Sequence, residues 1–419
     1  MAQTNRDRAR PPAPKTEPEV VGRRYIRLIE HQLARLHAHL AHGNREVFLD
    51  HLVIAHLLAF FNPGLRGLRS IDDVFDLPEV RKRYRTPRLP QRTLADAQRV
   101  FDPHLLWPLI ESLKQRAGLR PHDPRLDALT RRLLAVDGSF FAVAPRIAWA
   151  LFNKASVQKG ARRNLRQGNV RAHVQFDVLR GLPDQATLTD GQASEAEQLR
   201  RALRSGCFYV MDRGFQQYTL LADILAAGSD FLVRLRKSAR CTVVQECPLS
   251  TADIAASVTR EATVTVGWRT GQVAALPPLR RVEVTYTDRQ GKTTTLILLT
   301  NRLDLPAWMI ALVYRHRWQI ELFFRWLKCI GHFQHFFSES PQGMTLQLYV
   351  TLIGLLLMAI ETGARPSKYD FALFSAAVNG LAPLEEVLAV AAKRRAERAR
   401  AAEWQRQYGA KKAAQKSGR

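Results

Sequence analysis

The pattern of apolar and polar positions changes character along the chain. From Arg23 to about Gly118, apolar residues recur at three- and four-residue spacing in YIRLIEHQLARLHAHLAHG, VFLDHLVIAHLLAFF and LADAQRVFDPHLLWPLIESLKQRAG. That is the periodicity of helices with one buried face. Thr93 and Asp96 read as a capping box for the last of them, with Asp in place of Glu. At Arg132 the texture turns. RLLAVDGSFF reads as a short apolar strand ending at Asp-Gly, and RAHVQFDVLRG and DQATLTDG as two more strands. Helix SEAEQLRRALRSG, strand GCFYVMDRGF, helix QQYTLLADILAAG and strand SDFLVRLRKS follow, an order that predicts an α/β sheet with parallel elements. From about Lys237 to Asn301, period-two alternation and β-branched residues predict a β-rich segment. Helical spacing resumes after Pro306, in AWMIALVYRHRWQIELFFRWLKCIG, in a core helix at 345–361 and in an amphipathic helix from Pro383.

These changes divide the chain into six parts. Residues 1–20 are Pro-rich, charged and expected to be disordered. Residues 21–125 form an all-helical N-terminal domain and 130–236 the first part of an α/β core. A β-rich insertion occupies 237–303, the second part of the core 304–365, and a helical region with a basic tail 366–419.

Charge then narrows the partners. The 63 Lys and Arg against 38 Asp and Glu leave +25, an excess that suits a polyanion, most often nucleic acid. The helical segment 21–125 is accordingly expected to contact DNA. Four cysteines form no CxxC pair, so neither a zinc ribbon nor a disulfide framework is expected. The N-terminus has no apolar signal segment, and the run LYVTLIGLLLMAI at 348–360 is shorter than the roughly 20 residues that span a bilayer. A cytoplasmic protein associated with nucleoid DNA and with no membrane partner is expected. Half of the twelve histidines fall between His31 and His56, on alternate helix faces and without Cys partners, which favours packed or solvated rings over a metal site.

One stretch, YRHRWQIELFFRWLK at 314–328, puts charge into an apolar helix. At about 100° per residue, Arg317, Glu321 and Lys328 fall roughly 300°, 340° and 320° from Tyr314, a single polar stripe beside an apolar face. A plain Arg317–Glu321 pair one helical turn apart would account for part of it. Asp137 and Asp212, however, each follow an apolar strand with Gly close behind, and strand ends of α/β sheets open onto ligand crevices. Asp-Gly is also an ordinary turn pair. Together with Glu321 these acids supply three hard oxygen donors of the kind Mg²⁺ prefers. Two metal ions so held can hydrolyse a phosphodiester, with Arg317 and Lys328 on the phosphates of the strand being cut.

Tyr314, two residues, Arg317, three residues, Glu321, six residues, Lys328 resembles the Y-R-E-K signature of transposases of the insertion sequence four family, over about 130–360. The resemblance implies a ribonuclease H-like catalytic domain with a β-rich insertion before the helix bearing the Glu. It implies that Asp137, Asp212 and Glu321 hold two Mg²⁺ ions per site, Mn²⁺ being a possible substitute. It also implies that Arg317 and Lys328 contact the DNA backbone, that Tyr314 positions a phosphate, and that Arg213 is a weaker phosphate contact. The implied activity is cut-and-paste transposition: hydrolysis at the inverted-repeat ends of an element and joining of the 3′-ends to target DNA, by a homodimer on double-stranded DNA. The basic stretch from Lys154 to Arg171, with Arg162, Arg163 and Arg166, would be a strap over DNA or a solvated loop. In one departure, a Trp that some relatives carry before the strand closing the insertion stands here as Leu296, and Trp268 and Trp308 are out of register. A stand-alone metal-dependent nuclease and a catalytically idle, transposase-derived DNA-binding protein are the rival readings.

Overall fold

The computed structural model describes residues 29, 31–36, 47–62, 64–117, 123–144, 146–152, 167–266, 276–287, 291–330, 335–378 and 381–417. Arg162, Arg163, Arg166 and Trp268 lie outside them. The fold is mixed α/β, a large mixed sheet with helices on both faces.

Among the described residues, five α-helices follow the helical stretch 31–36 and precede the sheet: α1 (Leu49–Phe61), α2 (Leu68–Phe75), α3 (Pro78–Tyr84), α4 (Gln91–Val100) and α5 (Trp107–Ala117). Two expectations fail here. The long helix read through LADAQRVFDPHLLWPLIESLKQRAG is two helices, because Pro103 lacks the amide a continuing helix needs. Asp102 instead caps a single 3₁₀ turn, accepting from His104 N–H at 2.9 Å. Thr93 and Asp96 are not a capping box, since α4 starts at Gln91 behind Pro90 and both residues lie inside it.

The strands are β1 (Arg132–Val143), β2 (Leu151–Phe152), β3 (Gln167–Asp177), β4 (Leu182–Asp190), β5 (Cys207–Met211), β6 (Asp230–Arg234), β7 (Thr242–Glu246), β8 (Val258–Thr265), β9 (Leu279–Thr287) and β10 (Thr293–Thr300). They run in the order β2-β3-β1-β5-β6-β10-β9-β8-β7, with β4 also on β3. β1, β5 and β6 are mutually parallel, while β3, β4 and β10 pair antiparallel to their neighbours. Helices α6 (Glu195–Arg201) and α7 (Tyr218–Ala226) make the crossovers, and α8 (Thr251–Ala255) lies among the later strands. β10 pairs with β6 through Leu298–Thr300, so the segment read as an insertion extends the same sheet.

Alternation along β1 sorts the two faces. Leu133 and Ala135 join the cluster that holds α1–α5, while Leu134 and Val136 join the cluster under α6 and α7. The first face is covered by α9 (Ala307–His316), α10 (Trp318–Ile330) and α11 (Pro341–Thr362), followed by α12 (Lys368–Val378) and α13 (Leu384–Ser417). By length and composition α11 is apolar enough to cross a membrane, yet 89% of its most apolar window is buried inside the protein. It packs against α1, α4 and α5, so the N-terminal helices share one core with the sheet. The contact is tight: Gly354 leaves room for the Phe60 ring, whose edge would meet a Cβ there at 2.4 Å. His56, in the same core, bonds the Leu52 carbonyl at 2.8 Å and Gln98 at 3.1 Å. Burial draws its pKa down to about 4, which marks a packed, neutral ring.

Candidate active site

The first acid is not at a strand end. β1 continues past Asp137 to Val143, paired throughout with β3, and Gly138 faces His173 in that ladder. What ends near Asp137 is the parallel ladder to β5, whose last rung is Val136–Met211. Asp137 and Asp212 therefore each stand one residue beyond that rung on neighbouring strands, at the carboxyl end of the parallel part of the sheet. That is where open α/β sheets present their ligand crevices. Each carboxylate is steadied by a following amide. Gly138 N–H donates to Asp137 Oδ1 at 2.8 Å and Gly214 N–H to Asp212 Oδ1 at 2.7 Å.

The third acid comes from the helix on the same face. Ile320, Phe323, Phe324 and Leu327 bury α10 against β1 and β3, with the Phe323 ring tilted against Phe176 at 5.5 Å between centres. By period, Asp137 shares the face of Leu133 and Ala135, under α10. The continuous helix expected over 314–328 is interrupted at Arg317, where backbone bonds run to the third residue: Arg317 N–H to the Tyr314 carbonyl at 3.1 Å and Ile320 N–H to the Arg317 carbonyl at 3.1 Å. This tightened turn sits where the Arg317 side chain reaches two acids. The guanidinium contacts Asp137 Oδ2 at 3.4 Å and makes a short bond to Glu321 Oε1. It also lies 5.8 Å from the Tyr314 ring centre. The structure thus gathers Asp137, Arg317, Glu321 and Tyr314. Lys328 stands apart, exposed, with its ammonium 5.5 Å from the Phe141 ring. Arg213 is exposed beside Asp212.

Electrostatics mark the same spot. The pKa of Asp137 is raised to about 6, first by burial and then by the charges of Asp212 and Glu195, against the pull of the Gly138 amide and Arg317. Burial also pushes the Tyr314 phenol up, against Arg317 and Arg234. Among the described residues, no three His, Cys, Asp or Glu side chains converge as a bound ion would draw them. Arg317 instead holds Asp137 and Glu321 as an internal cation.

Two residues escaped sequence reasoning. Glu195, first in α6, lies over Gly138 from the opposite face. A Cβ on Gly138 would meet Glu195 Oε1 at 2.3 Å, so glycine is what allows this close approach. Arg171 partners Glu195 at 3.8 Å, and burial and then Asp212 raise the pKa of Glu195 against the pull of Arg171. A Glu in a first helical turn is what the helix dipole favours anyway, so nothing local singles it out. Arg234, at the end of β6, was read only as part of a strand, although its charge is felt at Tyr314.

Residues 128–357, more than half of the chain, match the family profile described as the transposase DDE domain. The chain belongs to the DDE transposase family. The match takes in Asp137, Asp212, Glu321 and the strands β7–β10, and leaves α1–α5 and the tail outside. A protein of Sinorhizobium fredii (strain NBRC 101917 / NGR234), whose assigned name is transposase y4zB, is 32% identical over 202 residues, 48% of this chain and 55% of the relative. The DDE chain thus spans about half the length of that curated relative. A cryo-EM structure of the piggyBac transposase synaptic complex with hairpin DNA overlays with a TM-score of 0.38 at 11% identity, covering 84% of this chain and 76% of that one.

Proposed function

We propose that this DDE transposase binds the inverted-repeat ends of an insertion sequence, cuts them by metal-dependent phosphodiester hydrolysis and joins the 3′-ends to target DNA. One observation carries the reading. Arg317 ties Asp137 to Glu321 directly beside Asp212, at the carboxyl end of adjacent parallel strands. The strand sequence β4-β3-β1-β5-β6, three antiparallel members followed by parallel ones, supports a ribonuclease H-like core. Its second, sheet-extending part is the insertion, and the N-terminal helices are the DNA-contacting region.

In this reading Asp137, Asp212 and Glu321 hold two Mg²⁺ ions, with Mn²⁺ as a substitute. The donor set fits: all are hard oxygens, and the burial and neighbouring carboxylates that raise Asp137 are offset by added positive charge. When bound, such ions activate the attacking water or 3′-hydroxyl and stabilise the leaving oxygen. Arg317, released from the acids, is then free for a phosphate, where its planar fork suits two oxygens at once. Tyr314 braces that guanidinium, and Lys328 and Arg213 hold backbone on either side. A homodimer pairing two DNA ends, acting in the cytoplasm on nucleoid DNA, completes the proposal.

Labelled DNA carrying the repeats that flank the gene, a target plasmid and Mg²⁺ or Mn²⁺ test it. Labelled 3′-ends covalently joined to the plasmid support transposition. Cut ends without joining would make the protein a nuclease. Bound but uncut DNA under both metals would make it an idle DNA-binding protein.

A further inference from the structure

Beside Asp212 a cavity of about 600 Å³ opens between the end of β5, the end of β6 and strand β10. Its lining includes Arg213, Arg234, Arg236 and Lys237 against the single carboxylate of Asp212, with Thr295 and Ile297 of β10 beside them. Among the described residues none of these four cations makes an ion pair. The neighbouring strands β8 and β9 behave otherwise: Arg260 pairs with Glu246, Arg280 with Glu261 and Arg281 with Glu283. Four like charges around one hollow repel one another, and only an anion entering it relieves that repulsion. Three of the four are exposed, so neither packing nor core hydrogen bonding explains their presence.

The cations come from separate elements, so they form a row along the wall and not one point. Arg213 follows Asp212, Arg234 ends β6, and Arg236 and Lys237 lie beyond it where the chain leaves for the insertion. A row of guanidinium and ammonium groups matches the repeating phosphates of a nucleic-acid strand. The backbone of this wall is pinned, since Arg236 N–H donates to Gln216 Oε1 at 2.7 Å. The row begins at Asp212, so a strand lying in it runs outward from the bond at the acids.

We infer that this cavity is a binding site for the phosphodiester backbone of the DNA strand flanking the bond to be cut. The inference rests on the function proposed above and adds the base of the insertion as the surface that holds the strand. Contacts of this kind position the duplex without reading its sequence.

The test uses the full chain without metal, so that binding is read apart from cleavage. The affinity for a short duplex of the flanking repeat is measured over a range of salt for wild type and for the double variant Arg236→Ser, Lys237→Ser. Both residues are exposed and make no ion pair among the described residues, and a melting curve checks that the variant is folded. Each phosphate neutralised contributes about 0.9 to the slope of log affinity against log salt, so the double variant is expected to lose about 1.8 of that slope. The charge-keeping exchange Arg236→Lys, Lys237→Arg is expected to keep it. Neutral methylphosphonates stepped along the strand beside the cut should weaken wild type at specific positions and leave the serine variant indifferent there. An unchanged slope in the serine variant, or equal weakening of both proteins at every position, would overturn the site. No salt-dependent affinity of wild type for any duplex would instead overturn the function on which it rests.

Discussion

Replacing Asp137 with Asn is expected to make the protein more stable and inactive in one step. Burial and the charges of Asp212 and Glu195 lift this carboxyl from an ordinary 3.8 to about 6, net of the help from Arg317 and the Gly138 amide. Its side chain is 22% exposed, so solvent screens it only in part. Each pH unit of displacement is worth about 1.4 kcal/mol, which puts the cost of ionising Asp137 in the folded protein at about 3 kcal/mol, an upper figure. The sign follows from proton counting. Between 3.8 and about 6 the folded state holds a proton that the unfolded chain has lost, so stability falls as pH rises through that window and stays low above it. Asn cannot ionise and still accepts from the Gly138 amide. Metal-free urea unfolding should therefore show Asp137→Asn more stable by up to about 3 kcal/mol near pH 7.5 and nearly equal to wild type near pH 4. Added Mg²⁺ should raise the stability of wild type and not of the variant, because only the ionised site gains from the ion. An equal gain at both pH values, or none at either, would refute the charge-crowding argument.

Arg317→Lys keeps the charge but loses the fork that spans Asp137 and Glu321; a loss of about 10²–10³-fold in cleavage rate, the usual cost of one preorganised donor, is expected in single-turnover assays. Glu195→Gln removes one of the charges that raise Asp137, so the acid limb of the cleavage pH profile should move to lower pH, and an unmoved limb would show Glu195 too remote to matter. Gly138→Ala puts a Cβ 2.3 Å from Glu195 Oε1, the far end of a flexible side chain; the carboxylate should swing aside, so denaturant midpoints should report a change below about 1 kcal/mol, and a larger loss would show Glu195 held rigidly in place. His56, buried and neutral with a pKa drawn down to about 4, should cost stability as pH falls from 6.5 toward that value, and His56→Gln should flatten that slope.

The order of strands and helices was legible because period two and period 3.6 are written locally. Asp137's place within a strand was not, since the rung that carries β1 past it is supplied by β3, some thirty-five residues further on. The break at Arg317 has no Pro or Gly to announce it; the side chain's two acid partners lie one turn away and across the fold. The break at Pro103 was announced, and the apolar spacing on either side masked it. Asp137, Asp212, Arg317 and Glu321 could be nominated from residue type and spacing, but the bridge among them depends on α10 lying across β1. Glu195 became visible only through the bare backbone of Gly138, and the cationic wall only once β6 and β10 were neighbours.

The most direct measurement replaces each acid in turn, Asp137→Asn, Asp212→Asn and Glu321→Gln, and follows Mg²⁺-dependent cutting of the flanking repeat ends in a single turnover. Glu246→Gln, an exposed acid of β7, serves as control. The account expects each of the three to abolish cutting while the duplex remains bound, and the control to cut as wild type does. Retention of cutting by any one of the three would contradict it, because that acid would then stand outside the chemistry.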